Sequence, residues 1–174
     1  MFLDRDGVLA QEIVRDGQAF APTELRDFRL VDGAAEAVDR LRQAGLVCIV
    51  FTNQPEVARG LLAPDTLERM HQELRRCVAV EDVFVCPHVD EDGCACRKPH
   101  PGMLRQAAEK WDLDLGRSFV VGDRWRDIDA GRAVGCYSVL VERDYSACET
   151  ADARVASLGE AVDLILDRTA NGLR

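Results

Sequence analysis

Three apolar runs, at 46–51, 83–85 and 119–121, each give way abruptly to polar residues. Apolar character that is continuous rather than alternating marks strands buried on both faces, which predicts a parallel sheet covered on both sides. A fourth run at 137–141 and the very short Met1-Phe2-Leu3 complete the set. Between the runs the period becomes helical. Ala34, Val38 and Leu41 share one face of a helix over 34–44 that Gly45 stops, and Leu67, Met70, Leu74 and Cys77 share one face of a helix starting near Pro64. A third helix is predicted over 101–111, opening on a proline, and a short one over 127–134. Ser157 with Glu160 three residues on is a capping-box start for the last helix, which runs through Val162, Leu164 and Ile165; beyond Arg168 the chain is expected to fray.

Strands and helices alternate, so the expected fold class is α/β, a doubly wound parallel sheet with helices on both faces. No internal repeat or linker divides the 174 residues, and 1–174 reads as a single domain. The one long irregular stretch, 10–26, is polar, contains Gly17 and Pro22, and is expected to be a functional loop.

Composition narrows the partners. A formal charge of -9 gives no cationic footprint for nucleic acid or an anionic membrane, so a small-molecule partner is expected, and nothing in the sequence demands more than a monomer. No apolar run is long enough to span a bilayer, and the chain opens without a secretory pattern, which makes the cytoplasm the expected location. Seven cysteines, an odd number, fit a reducing compartment better than a disulfide framework.

Open parallel sheets bind ligands at the carboxyl ends of their strands. Asp4 and Asp6 follow Met1-Phe2-Leu3, Thr52-Asn53-Gln54 follows the run 46–51, Arg97-Lys98 comes after 83–85, and Gly122-Asp123 follows 119–121 with Asp127 four residues on. Each has an ordinary reading alone: Asp6-Gly7 and Gly122-Asp123 as turns, Thr52 and Asn53 as caps, Lys98 as a solvated cation. Together, in strand order on one rim, they are what metal-assisted phosphoryl transfer requires. An anionic ester repels an anionic nucleophile, so a divalent cation and further positive charge must lie between and around them. Asp4 and Asp123 offer hard oxygen ligands to Mg²⁺, and Asp4 is also placed to attack phosphorus. Asp6 is placed to move the proton, and Thr52 and Lys98 to bind the transferring oxygens.

In order and spacing, Asp4-Arg5-Asp6-Gly7-Val8, Thr52-Asn53-Gln54, Lys98 and Gly122-Asp123 with Asp127 resemble the four motifs of the haloacid dehalogenase superfamily of phosphatases. The resemblance implies Asp4 as nucleophile, Asp6 as general acid and base, and Thr52 and Lys98 as phosphoryl ligands. It further implies Mg²⁺ held by Asp4, Asp123 and the main-chain carbonyl of Asp6, with Asp127 in support. No insertion is long enough for a separate cap domain. The acceptor of receiver-type signalling domains, the alternative outside hydrolysis, comes after a later strand.

Cys86-Pro87-His88 and Cys94-Ala95-Cys96 place three thiols and an imidazole on one short loop, about 86–96. This is the ligand set of a closed zinc site, and the competing reading is a group of buried thiols with a satisfied histidine. With four protein ligands the zinc would be structural, ordering the loop that carries Arg97 and Lys98. The run from Arg97 to Met103 is similar to zinc-loop heptose bisphosphate phosphatases, which remove one phosphate from a heptose 1,7-bisphosphate. That likeness implies substrate contact through Asn53, Gln54, Arg97 and Arg124. The spacer between the two zinc pairs is closer to the histidinol-phosphate phosphatases, the alternative substrate branch. Ala10 stands where the branch has asparagine, and Arg124 where it has lysine.

Overall fold

The computed structural model describes residues 1–15 and 17–172. Strand β1 is Phe2–Leu3, β4 is Ile49–Asn53, β5 is Asp82–Cys86, β6 is Phe119–Gly122, β7 is Tyr137–Val141 and β8 is Ala153–Val155; β2 (Ile13–Arg15) and β3 (Gln18–Phe20) lie apart from them. Helices are α1 (Ala34–Gln43), α2 (Pro64–Cys77), α3 (Gly102–Trp111), α4 (Trp125–Arg132) and α5 (Leu158–Ala170). The main sheet runs in the order β5-β4-β1-β6-β7-β8 with every pairing parallel. Two-residue β1 therefore sits at the centre, Leu3 level with Val50 on one side and Val121 on the other.

Side-chain alternation distributes the core between two layers. Leu3, Val50 and Val121 point to the face covered by α1, α2 and α5, packing with Val38, Leu41, Met70, Leu74, Val162 and Ile165. Phe2, Ile49, Phe51 and Val120 point to the opposite face, under Met103, Leu104 and Ala107 of α3 and Ala130 of α4. Both β1 residues are fully buried. Burial of an aliphatic or aromatic side chain of this size contributes about 1.5–3 kcal/mol, which is how so short a strand keeps its place.

The doubly wound sheet stands as expected, and no separate cap domain is inserted among the described residues. Several details differ. The strand expected over 46–51 runs instead over Ile49–Asn53, because Leu46 still bonds back to the carbonyl of Leu41 and Thr52 and Asn53 pair with Val85 and Cys86. Irregularity was expected throughout 10–26, yet β2 and β3 form an antiparallel hairpin there, with Ile13 opposite Phe20; Asp16 of that stretch lies outside the described residues. Strand β8 had no apolar run to announce it, since Val155 is its only buried residue. Helix α5 continues to Ala170, past the expected fraying point at Arg168, and Leu173 and Arg174 lie outside the described residues.

Candidate active site

The rim residues do converge. The chain leaves β1 at Asp4, whose N–H donates to the carbonyl of Val121 in β6 (2.9 Å), and leaves β6 through Gly122 into Asp123. Both turns need glycine. Gly7 has a φ of 83°, and a Cβ there would overlap the Asp123 carboxylate; a Cβ on Gly122 would overlap the Asp127 side chain. Asp127 sits in the first turn of α4 and accepts the N–H of Arg124 at 3.0 Å.

Carboxylate oxygens of Asp4, Asp123 and Asp127 lie within 4.8 Å of one another, all buried. Lys98 inserts its ammonium among them, 2.8 Å from Asp4 Oδ1 and 2.5 Å from Asp127 Oδ1, and donates to the carbonyl of Phe51 at 3.1 Å. One cation against three carboxylates leaves excess negative charge. Burial and the charge of Asp127 push Asp4 up to about 7, with Lys98 pulling the other way, and burial with the charges of Asp127 and Asp4 raises Asp123 well above the ordinary carboxylate range. Burial disfavours the charge on Lys98, but Asp127 and Asp4 more than offset it and hold its pKa above the usual value. Asp123 Oδ1 is buried without a hydrogen-bond partner among the described residues. An orphaned carboxylate oxygen beside two more carboxylates is the donor set of a hard divalent cation.

Of the sequence-predicted residues outside the Cys/His loop, all but Gln54 and Asp123 line one cavity, about 550 Å³ in volume. Gln54 donates to both Thr52 Oγ1 (2.9 Å) and Asp6 Oδ2 (2.7 Å). Asn53 bonds the main chain of Lys98 rather than presenting a free amide. Arg97 donates to Asp90 (2.7 Å) and to the carbonyl of His88 (3.0 Å). Arg124 is bonded to Glu12 (2.6 Å) and to the carbonyl of Ala19 (2.9 Å), which ties the hairpin to the rim.

Four site residues escaped the sequence reading. Glu12 and Tyr145 close the metal side: the Tyr145 hydroxyl donates to Asp123 Oδ2 at 2.7 Å and is also bonded to Glu12. Arg126 shares Asp90 with Arg97, and Arg59 lines the cavity wall. Glu12, Tyr145 and Arg126 belong to no motif, whereas Arg59 stands in the Ala58-Arg59-Gly60 run, which is similar to the heptose bisphosphate phosphatases and was assigned no role. Their approach depends on how the hairpin, α4 and the segments after β4 and β7 fold over the rim.

Cys86, His88, Cys94 and Cys96 also converge. Successive edges measure 3.6 Å from Cys86 Sγ to both His88 Nδ1 and Cys94 Sγ, 3.3 Å from His88 Nδ1 to Cys96 Sγ, and 3.4 Å from Cys96 Sγ to Cys94 Sγ. A tetrahedron with zinc–sulfur and zinc–nitrogen bonds of ordinary length has edges of about 3.5–3.8 Å, so the donor set fits. Although burial opposes it, hydrogen bonds from Cys96 and the Arg97 N–H lower the Cys94 thiol to about 7.

Known proteins resemble this chain in sequence and fold. A family model described as HAD-hydrolase-like matches residues 95–168. The D-glycero-beta-D-manno-heptose-1,7-bisphosphate 7-phosphatase of Bordetella bronchiseptica is 40% identical over 147 residues, covering 82% of this chain and 79% of the relative. The enzyme of that name from Pseudomonas aeruginosa is 43% identical over 147 residues, covering 82% and 80%. The crystal structure of the B. bronchiseptica D,D-heptose 1,7-bisphosphate phosphatase, complexed with magnesium and phosphate, superposes with a TM-score of 0.84 at 33% identity, covering 97% of this chain and 98% of that one. With the capless fold, these likenesses place the chain in the haloacid dehalogenase superfamily, as a phosphoric monoester hydrolase related to the heptose bisphosphate phosphatases.

Proposed function

We propose that the chain is a Mg²⁺-dependent phosphatase, a single domain that removes one phosphate from a heptose 1,7-bisphosphate through an aspartyl-phosphate. The observation that carries this reading is the buried cluster of Asp4, Asp123 and Asp127 around Lys98, beside a cavity lined also by Arg59, Arg97, Arg124 and Arg126. Asp4, Asp123 and the main-chain carbonyl of Asp6 would hold the cation, with Asp127 beside them. When bound, it supplies the positive charge that lets an anionic nucleophile meet an anionic ester.

The residues then divide the work. An Asp4 carboxylate oxygen attacks phosphorus while the ester C–O–P linkage breaks on the phosphorus side. Asp6 gives its proton to the departing alkoxide. Thr52 Oγ1 and Lys98 Nζ hold equatorial oxygens in both half-reactions. Water next attacks the phosphorus of the acyl phosphate, Asp6 takes its proton, and Asp4 is released with inorganic phosphate. A second phosphate on the sugar would meet the arginines at the cavity wall, where the planar fork of Arg97 suits paired oxygens. Zinc in the cluster of Cys86, His88, Cys94 and Cys96 would brace the loop that delivers Arg97 and Lys98. The acidic surface, with its formal charge of -9, and the small cavity support a soluble metabolite rather than nucleic acid as partner. We place the chain in the cytoplasm as a monomer; among the described residues no helix is long and apolar enough to cross a membrane.

The test is a phosphate-release panel with Mg²⁺ over both anomers of heptose 1,7-bisphosphate, histidinol phosphate, simple sugar phosphates and nucleotides. The heptose bisphosphates are expected to give the highest kcat/KM. A single stoichiometric phosphorylation without turnover would overturn the phosphatase reading, and a preference for histidinol phosphate would overturn the substrate.

A further inference from the structure

Arg5 is the largest completely buried side chain among the described residues, and it lies between the two aspartates of the first motif. A buried guanidinium is costly unless its donors are satisfied, so its partners are informative. Its Nε lies 3.1 and 3.2 Å from the two Asp6 oxygens and its Nη2 lies 2.9 Å from Asp6 Oδ2, a two-point grip on one carboxylate. Nη1 faces Nε2 of His71 in α2 at 3.1 Å, and the guanidinium lies 5.4 Å from the centre of the Phe28 ring. Guanidinium nitrogens only donate, so His71 must accept through Nε2 and carry its proton on Nδ1. Burial first, then the charges of Arg5 and Arg75, keeps that imidazole neutral, with its pKa pushed down to about 3. Gln54 completes the setting from the other side through its 2.7 Å bond to Asp6 Oδ2.

We propose that Arg5, oriented by His71, is a positioning residue that fixes the Asp6 carboxylate on the leaving-group side of the cavity. The inference rests on the reading of Asp6 as proton donor given above. Asp6 takes no part in the buried carboxylate cluster of Asp4, Asp123 and Asp127. Its oxygens are bonded instead to Arg5 and Gln54. Arg5 touches no substrate; it acts through Asp6.

The signature of such a role is a dependence on the leaving group. An alkyl alkoxide needs a proton as it departs, whereas p-nitrophenolate departs well without one. Because kcat/KM includes leaving-group departure, the ratio of kcat/KM for an alkyl phosphate to that for p-nitrophenyl phosphate isolates proton donation, and the folded fraction cancels from it. Arg5→Lys keeps the charge and loses the fork; Arg5→Met removes both; His71→Leu loosens the grip from behind. The ratio is expected to fall about tenfold in His71→Leu and in Arg5→Lys, and about 100-fold in Arg5→Met and in the control Asp6→Asn. An unchanged ratio in the Arg5 and His71 variants while Asp6→Asn loses it would overturn this proposal and leave the role of Asp6 standing. An unchanged ratio in Asp6→Asn would overturn the reading on which it rests. Should the Arg5 variants fail to fold, His71→Leu alone decides.

Discussion

Asn53 and Lys98 are bonded to each other in both directions: the Lys98 N–H donates to Asn53 Oδ1 at 3.1 Å, and Asn53 Nδ2 donates to the Lys98 carbonyl at 3.2 Å. The end of β4 thereby clamps the main chain of the lysine whose ammonium enters the carboxylate cluster. Asn53 was read from the sequence as a substrate contact, but its amide is engaged at both ends by protein. Asn53→Asp keeps the acceptor and loses the donor. One buried hydrogen bond is worth about 1 kcal/mol, so kcat/KM should fall about five- to tenfold with the zinc content unchanged. Steady-state kinetics beside metal analysis checks both halves.

Asp4→Asn should abolish turnover and leave the fold intact. Removing the Asp4 charge relieves repulsion with Asp127 and Asp123, but it also removes a partner of Lys98. These effects oppose each other, so the thermal midpoint without divalent cation should shift by only a few degrees. Calorimetry with a phosphate-release assay tests this, and near-normal activity would show that another group attacks phosphorus.

Mg²⁺ should stabilise the wild type and not Asp123→Asn. A ligand at about 100 times its Kd adds about 2.7 kcal/mol to the folded state, which is several degrees for a chain of this size. Thermal shifts with and without Mg²⁺ measure it. An equal shift in the variant would move the cation away from Asp123 and its unpartnered oxygen.

Cys94→Ser should lose zinc and stability before it loses chemistry. Hydroxyl is a poor substitute for thiolate, and the loop between β5 and Lys98 is braced at four points by the cluster. Reduced zinc content, a lower thermal midpoint and residual activity at low temperature are expected; a wild type free of zinc would remove the basis of this prediction.

How far each of these residues was legible from sequence follows from how its constraint is encoded. Asp4, Asp6, Thr52 and Asp123 stand at or next to strand ends, where apolar runs give way to polar residues, and Lys98 lies in the loop between the third run and the next helix, so local pattern and strand order sufficed. The sheet was visible for the same reason. Glu12, Tyr145 and Arg126 are placed by the hairpin, by the segment after β7 and by sharing Asp90, none of which leaves a periodic trace. Strand β8 was silent because an edge strand with one buried residue has almost no hydrophobic signal. Arg5 stood within the first motif without a role, because its complete burial is visible only in the fold.

The central position of β1 has one more consequence. Asp4 and Asp123 leave adjacent strands, so their spacing derives from the peptide hydrogen bonds of the sheet, which set neighbouring strands about 4.8 Å apart. The backbone is thus a ruler for the ion. Mutational drift in surrounding side chains leaves that ruler unchanged, whereas the hairpin from Ile13 to Phe20 and the wall arginines hang from it without setting it. New substrates can therefore be explored by altering those outer parts while the reaction centre keeps its calibration.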